Sequence, residues 1–146
     1  MSEVAFFILG DFPASIHKHD EAGHLCGYLG VPKGHPWYGR DYDSIDAEVH
    51  GGLTYSEHEI RGGGSNPFVP KEALIRPYPH DTAQDTYWIG FDCAHAGDLM
   101  PRTDALLPLH LQGSGVYRDE SYVRQELEHL ASQAAAAWQA VQLGNR

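Results

Sequence analysis

The chain has 146 residues, and its 20 acidic and 10 basic side chains give a formal net charge of -10. This length is enough for one domain over residues 1–146 that buries roughly two-thirds of the surface of its unfolded chain. Because the Lys and Arg residues are scattered and form no basic stripe, the charge pattern disfavours nucleic acid as a partner.

Cysteine use and hydropathy predict the compartment. Cys26 and Cys93 form neither a CxxC pair nor a disulfide framework, which is typical of free, buried thiols in a reducing environment. The apolar run Val4–Leu9 lacks a basic flank, and nothing later approaches eighteen consecutive apolar residues. We therefore expect a cytoplasmic protein with no membrane partner.

Four segments have the pattern of β-strands: residues 4–9, 25–31, 47–55 and 87–93. Between the first two, residues 14–23 are polar and predict a short exposed helix or loop. Three histidines lie in or beside that segment: His17, His19 and His24. They could bind a metal, but the better explanation is that they are solvated.

The last quarter of the chain carries the strongest helical pattern. Apolar residues recur at intervals of three and four from Asp119 to about Leu143, with Asp119 as the candidate N-cap and Gly144 as the expected stop. The stripe consists of Val123, Leu127, Leu130, Ala134, Trp138 and Val141. We predict an α+β fold, a mainly antiparallel sheet with a long C-terminal amphipathic helix packed on one face.

Residues 56–86 are rich in Gly and Pro, which predicts a flexible loop. Its glycines at 62–64 are the expected lid. Arg61 and Arg76 are the candidate cations for an anionic ligand, although either is equally well explained as an ordinary solvated side chain.

The candidate site lies where the strand 87–93 ends. Alternation sets the Asp92 carboxylate away from the apolar face, and His95 and Asp98 follow at three-residue intervals among small residues. His50, on the predicted neighbouring strand, is expected to open onto the same cleft. Imidazole and carboxylate groups are ligands for a catalytic Zn²⁺, Mn²⁺ or Mg²⁺. The four candidate ligands and catalytic groups are His50, Asp92, His95 and Asp98.

Two other interpretations use the same residues. Without a metal, His50 or His95 would be a general base held by Asp92 or Asp98, while Cys93 would be buried and inert. As a binding protein, the chain would stack aromatic rings on a planar ligand and bond its polar groups with no reaction. The residues proposed for that ligand are His35, Trp37, Tyr38, Thr54, Tyr55, Trp88, Arg61 and Arg76. The histidines are also explained individually as satisfied core residues.

Several motifs resemble a family of small bacteriophage and prophage proteins of unassigned function. They are CGYxGVPxGHP from Cys26, VHGGLTY from Val49, GFDCAHAGD from Gly90, and the helix start at 117–130. The family carries no activity over to this chain. The resemblance implies only a phage accessory protein acting in the cytoplasm of a bacterial host cell.

The function expected from these observations is metal-assisted hydrolysis of a nucleotide or other phosphoester, by which the protein would counter a host defence. A non-catalytic protein that sequesters a nucleotide signal is the first alternative. An acidic inhibitor that binds a protein partner is the second, since Asp41, Asp43, Asp46 and Glu48 form a modest acidic cluster. The sequence is compatible with homo-oligomerisation and does not specify it.

Overall fold

A computed structural model of the chain describes residues 2–58, 60–61, 75–76, 86–94, 98–113 and 115–144. Within this part of the chain the fold is α+β, as predicted, with an antiparallel five-stranded sheet and a long C-terminal helix packed against it. None of its helices is both long and apolar enough to cross a membrane.

The main sheet has the strand order β1-β2-β3-β7-β4, and every neighbouring pair is antiparallel. Two further short strands, β5 and β6, pair with each other outside the main sheet. The strands are β1 Ser2–Leu9, β2 Phe12–Lys18, β3 Leu25–Pro32, β4 Tyr55–Glu57, β5 Ile60–Arg61, β6 Ile75–Arg76 and β7 Thr86–Asp92. Short helical turns lie at Tyr42–Ser44 and Leu109–Leu111, with α1 at Pro101–Asp104 and α2 at Glu120–Gly144.

Strand β2 corrects the expectation of an exposed polar segment after residue 13. β1 and β2 form a hairpin around Gly10 and Asp11, where Gly10 has the positive φ of 63° that a two-residue turn requires at its first position. Phe12 to His17 are all buried between β1 and β3. Tertiary pairing on both sides overrides the local polarity, so the prediction that His17 and His24 are solvated was wrong.

The predicted strand 47–55 is wrong over most of its length, since only Tyr55 belongs to a strand, β4. The preceding segment runs against α2, because Glu48 donates its N–H to the Gln133 side chain at 2.7 Å and accepts from the Gln133 amide at 2.6 Å. The paired glycines Gly51 and Gly52 have φ values of 68° and 84°, which end any extended run.

Helix α2 matches its prediction within one residue at each end. Asp119 caps it, since its Oδ1 accepts the Tyr122 N–H at 2.8 Å. The predicted stripe is buried through its first four members, whereas Trp138 is partly buried and Val141 is exposed. The central core combines residues of β2, β3, β7 and α2: Ile16, Leu29, Ile89, Phe91, Val123, Leu127 and Leu130.

The two faces of the sheet have different contents. The face under α2 is apolar, whereas the other face carries a second cluster of Cys26, Tyr28 and Trp88 with Tyr55 beside it. Glycine makes close packing possible on both faces. A Cβ on Gly27 would lie 2.8 Å from the Phe91 ring, and one on Gly90 would lie 2.6 Å from the Tyr28 ring.

We expect Gly90→Ala to lower the free energy of unfolding by about 1–3 kcal/mol, through overpacking. The added Cβ would also meet the Gly27 carbonyl oxygen at 2.8 Å, a backbone atom that cannot rotate away. Denaturant titration measures the change. Gly144→Ala is the matched control, because nothing lies within 4 Å of its Cβ position. Equal stability of the two variants would contradict the packing argument.

Candidate functional site

A histidine in a tight turn is the centre of the candidate site. His50 is the second residue of a turn closed by the Gly52 N–H donating to the Val49 carbonyl at 2.8 Å. The third residue is Gly51, whose positive φ is what a type II turn requires at that position. The turn directs the imidazole toward the start of α2, and the His50 side chain keeps 14% of its surface exposed.

Asp98 is brought beside this histidine by a backbone bridge. Residues 98 and 116 form an isolated parallel bridge, and the Leu99 N–H donates to the Val116 carbonyl at 2.8 Å. A Cβ on Gly115 would lie 3.0 Å from the Asp98 backbone, so a glycine permits this approach. The bridge places the Asp98 carboxylate between His50 and the residues that begin α2.

Four side chains form one hydrogen-bonded network around that carboxylate. The His50 Nε2 lies 2.7 Å from Asp98 Oδ2, and the Arg118 Nε donates to Asp98 Oδ1 at 3.0 Å. The Tyr122 hydroxyl lies 2.7 Å from His50 Nδ1. The carboxylate is 1% exposed, so its charge is balanced inside the protein rather than by water.

The hydrogen bonds have a definite direction when His50 is neutral. Asp98 is paired with a guanidinium and is an acceptor, so the His50 Nε2 carries the proton and donates it. Nδ1 is then the acceptor, and Tyr122 donates its hydroxyl proton to it. A phenol, an imidazole and a carboxylate are thus arranged in sequence, the arrangement by which an orienting carboxylate and a base activate a hydroxyl.

Arg118 and Tyr122 were not predicted as site residues. The Arg118 guanidinium carbon lies 4.7 Å from the centre of the Tyr122 ring, a cation–π contact. The hydrogen bond to Asp98 is the main cause that raises the pKa of Arg118, whereas burial, then Glu126, raise the pKa of Tyr122. Helical spacing does not relate these two residues, because Arg118 precedes the Asp119 cap and lies outside the helix.

The structure brings two of the four predicted catalytic residues together, His50 and Asp98. Asp92 ends β7 on the face of Cys26 and Tyr28, opposite α2, because it pairs with Cys26 in the β3–β7 register. Its Oδ1 accepts the Ala94 N–H at 3.3 Å. His95 lies outside the described residues, as does the predicted lid at 62–64.

Two residues of the loop after β3, proposed as a ligand wall, lie inside the protein. His35 is buried, with Nε2 donating to the Ala134 carbonyl at 2.8 Å and Nδ1 accepting the Trp37 N–H at 3.0 Å. Burial lowers the pKa of His35, consistent with a neutral ring. Trp37 is a core residue packed edge-on against that ring, and Tyr38 is half-buried against Tyr87.

The remaining proposed ligand residues are dispersed. Trp88 is 1% exposed in the cluster under the opposite face, and Thr54 is exposed, with its N–H bonded to the Gly90 carbonyl at 2.9 Å. The backbones of Arg61 and Arg76 belong to β5 and β6, while their side chains lie outside the described part of the structure.

The described residues do not by themselves compose the expected metal centre. Among them, no three His, Cys, Asp or Glu side chains are grouped so that they could hold a metal ion. A cation at His50 would also have to take a ring nitrogen from Asp98 or Tyr122, and it would lie near the Arg118 charge. The metal set therefore depends on His95, which the structure does not describe.

Comparison with known proteins identifies no relative: no family model, curated protein or solved structure matches the chain. The resemblance to phage proteins stays a prediction.

Both cysteines are free and buried, and burial is the main cause that raises the pKa of Cys26 and of Cys93 to about 12. The nearby Asp98 raises the pKa of Cys93 further in the same direction. Cys93 is therefore a thiol at neutral pH, which agrees with the interpretation of this residue as inert.

We expect neither thiol to react with Ellman's reagent at pH 8 in the native protein, and both to react after denaturation. Because the folded state holds the neutral thiols, their contribution to stability is present below the ordinary pKa of 9.0 and is lost as pH rises from 9.0 toward about 12. Denaturant titrations across this range measure the loss. Rapid native labelling of Cys93 would contradict this account.

Tyr122→Phe should lower the free energy of unfolding by about 0.5–1.5 kcal/mol, because it leaves His50 Nδ1 without its donor. Tyr117→Phe is the matched control, since Tyr117 is an exposed residue whose hydroxyl makes no hydrogen bond to the described residues, and we expect a change within about 0.5 kcal/mol. Thermal and denaturant unfolding compare the two. If Tyr122→Phe behaves like the control, the hydroxyl contributes nothing to the fold.

Proposed function

We propose that this protein is a metal-independent hydrolase of an anionic ester, with His50 as the general base and Asp98 as the residue that positions it. The observation that carries the proposal is the 2.7 Å hydrogen bond from His50 Nε2 to a carboxylate that is 1% exposed. A buried carboxylate fixes the tautomer and the direction of an imidazole, and it stabilises the imidazolium that forms after proton transfer.

The charge of the site supports an anionic substrate. The Nε of Arg118 is used by Asp98, while its terminal amino groups donate no hydrogen bond to any residue in the described part of the chain. The Arg118 side chain is 29% exposed, so these donors can reach a ligand from solvent. A guanidinium with two available terminal amino groups suits a phosphoryl or carboxylate oxygen pair.

Phosphoesters, including nucleotides, are the substrate class that we propose first. The resemblance to phage proteins supports a host nucleotide as the natural substrate and counter-defence as the purpose, by association alone. The competing route is metal-assisted and would use His50, Asp92, His95 and Asp98 together. The two routes differ in their response to chelation.

The test is a hydrolysis panel of nucleotides and chromogenic phosphoesters, assayed after EDTA treatment and again with added Mn²⁺ or Zn²⁺. We expect turnover that survives EDTA, and a fall in kcat of about 10²- to 10⁴-fold in His50→Gln. Asp98→Asn should lower kcat more than it raises KM, because it misdirects the base without removing it. Circular dichroism verifies that each variant is folded.

The matched control is His129→Gln, an exposed histidine on α2 whose loss should leave turnover unchanged. Turnover that EDTA abolishes and Mn²⁺ restores would favour the metal-assisted route instead. A nucleotide that binds tightly and is never turned over would favour the sequestering protein. No turnover and no binding across the panel would overturn the proposal.

A further inference from the structure

We infer that Tyr122 is the nucleophile of this site and forms a covalent phosphotyrosyl intermediate, with Arg118 holding the phosphoryl oxygens. The inference rests on the proposed function, because it assigns a mechanism to the same site. The inference is carried by the position of the Tyr122 hydroxyl. This hydroxyl lies 2.7 Å from His50 Nδ1, while the other ring nitrogen, Nε2, is hydrogen-bonded to Asp98.

The first step in the argument is that both His50 nitrogens are engaged. Nε2 is committed to Asp98, so the only nitrogen that can take a proton is Nδ1, and the hydroxyl bonded to it belongs to Tyr122. A water molecule activated directly by His50 would first have to displace that phenol. The group that the base is placed to activate is therefore a side chain of the protein.

The second step concerns the ionisation of the phenol. Burial, then Glu126, raise the pKa of Tyr122, so the hydroxyl keeps its proton at neutral pH and needs a base during attack. Arg118 acts in the opposite direction, since its guanidinium carbon lies 4.7 Å from the ring centre and favours negative charge there. The phenol is neutral before the reaction, and Arg118 stabilises the negative charge that develops on its oxygen during attack.

The third step is the charge of the substrate. Arg118 is anchored through Nε by a buried carboxylate, which fixes the plane of its guanidinium beside the phenol. Its remaining N–H donors can contact two oxygens of a phosphoryl group while the phosphorus atom faces the Tyr122 oxygen. A planar amide or a neutral ester offers no comparable pair of anionic oxygens.

The chemical steps balance without a further reactant except water. The Tyr122 oxygen forms a bond to phosphorus, the phosphorus–oxygen bond to the leaving group breaks, and the phenol proton passes to His50 Nδ1. The imidazolium gives that proton to the leaving alkoxide. Water then attacks phosphorus and gives its proton to His50, which returns it to the Tyr122 oxygen as the phosphotyrosyl bond breaks.

The test uses 4-nitrophenyl methylphosphonate, an anionic ester with two non-bridging oxygens that the Arg118 donors can contact. It transfers a methylphosphonyl group to an activated hydroxyl, yields an adduct that resists spontaneous hydrolysis, and releases nitrophenolate. Trypsin cleaves after Arg118 and Arg124, so Tyr122 lies in the peptide DESYVR and is its single tyrosine. Tyr117 lies in the preceding tryptic peptide and is an internal control within the same sample. Mass spectrometry of the two peptides over time gives the two labelling rates.

We expect Tyr122 to be modified at least about tenfold faster than Tyr117, although Tyr117 is the more exposed of the two. His50→Gln should lower the Tyr122 rate to that of Tyr117. Arg118→Gln should lower it by about tenfold while leaving the Tyr117 rate unchanged. This variant lacks the tryptic site between the two tyrosines, so fragment ions of the joint peptide 103–124 distinguish them. Because the rates are compared within one molecule, partial unfolding of a variant appears as faster labelling of both tyrosines.

The outcomes separate the two proposals. Hydrolysis of the phosphoester panel without preferential labelling of Tyr122 would leave the proposed function standing and overturn the nucleophile. Preferential labelling that persists in His50→Gln would also overturn it, because reactivity would not depend on the base. Preferential, His50-dependent labelling supports the nucleophile even if no panel member is the natural substrate. Neither labelling nor hydrolysis would contradict both.

Discussion

The candidate site depends on one buried carboxylate. Asp98 is 1% exposed and takes hydrogen bonds from His50 and Arg118, each of which comes from a different part of the chain. A carboxylate removed from water is costly unless it is paired and hydrogen-bonded, so the loop around residue 98, the turn at 49–52 and the start of α2 are held to one another by the same charge. The hydrogen-bonded network that supports the proposed function therefore also links three distant segments of the chain.

This network lies at the edge of the core rather than within it. Helix α2 packs across the apolar face of the sheet through Val123 and Leu127, which fixes the direction of its first turn. Tyr122 is adjacent to Val123, so the packing of one residue sets the position of the other. The chemistry proposed for the site uses the rigid start of a helix and two short loops that are anchored to it, which limits the movement of the reacting groups.

Histidines illustrate how tertiary context assigns different roles to one residue type. His17 and His35 are buried, one hydrogen-bonded to Ser15 and the other joining the loop after β3 to α2, whereas His50 keeps partial exposure and a carboxylate partner. His17 is bonded within its own strand, to Ser15 two positions away. His35 and His50 are distinguished by partners 99 and 48 positions away, Ala134 and Asp98, which no local pattern contains.

The sequence by itself determined the elements whose signal is periodic. Helix α2 and strand β7 follow from spacing, because burial against one neighbouring surface imposes a regular apolar repeat. Strands β1 and β3 follow from apolar runs that end at turn residues. Strand β2 and the turn at His50 escaped prediction. β2 pairs on both sides and so holds polar residues that are buried, while glycines with positive φ break the pattern that resembled a strand at 47–55.

For the site, the sequence supplied His50 and Asp98 as residue types suited to acid–base chemistry. Asp98 was grouped with Asp92 by proximity along the chain, and His50 by a predicted pairing of neighbouring strands. Only the tertiary structure decided that His50 lies at the start of α2, away from the face that carries Asp92, and that Arg118 and Tyr122 complete the network. The reason is physical: strand alternation sends neighbouring residues to opposite faces, whereas a bridge between residues 98 and 116 joins groups that are distant in sequence.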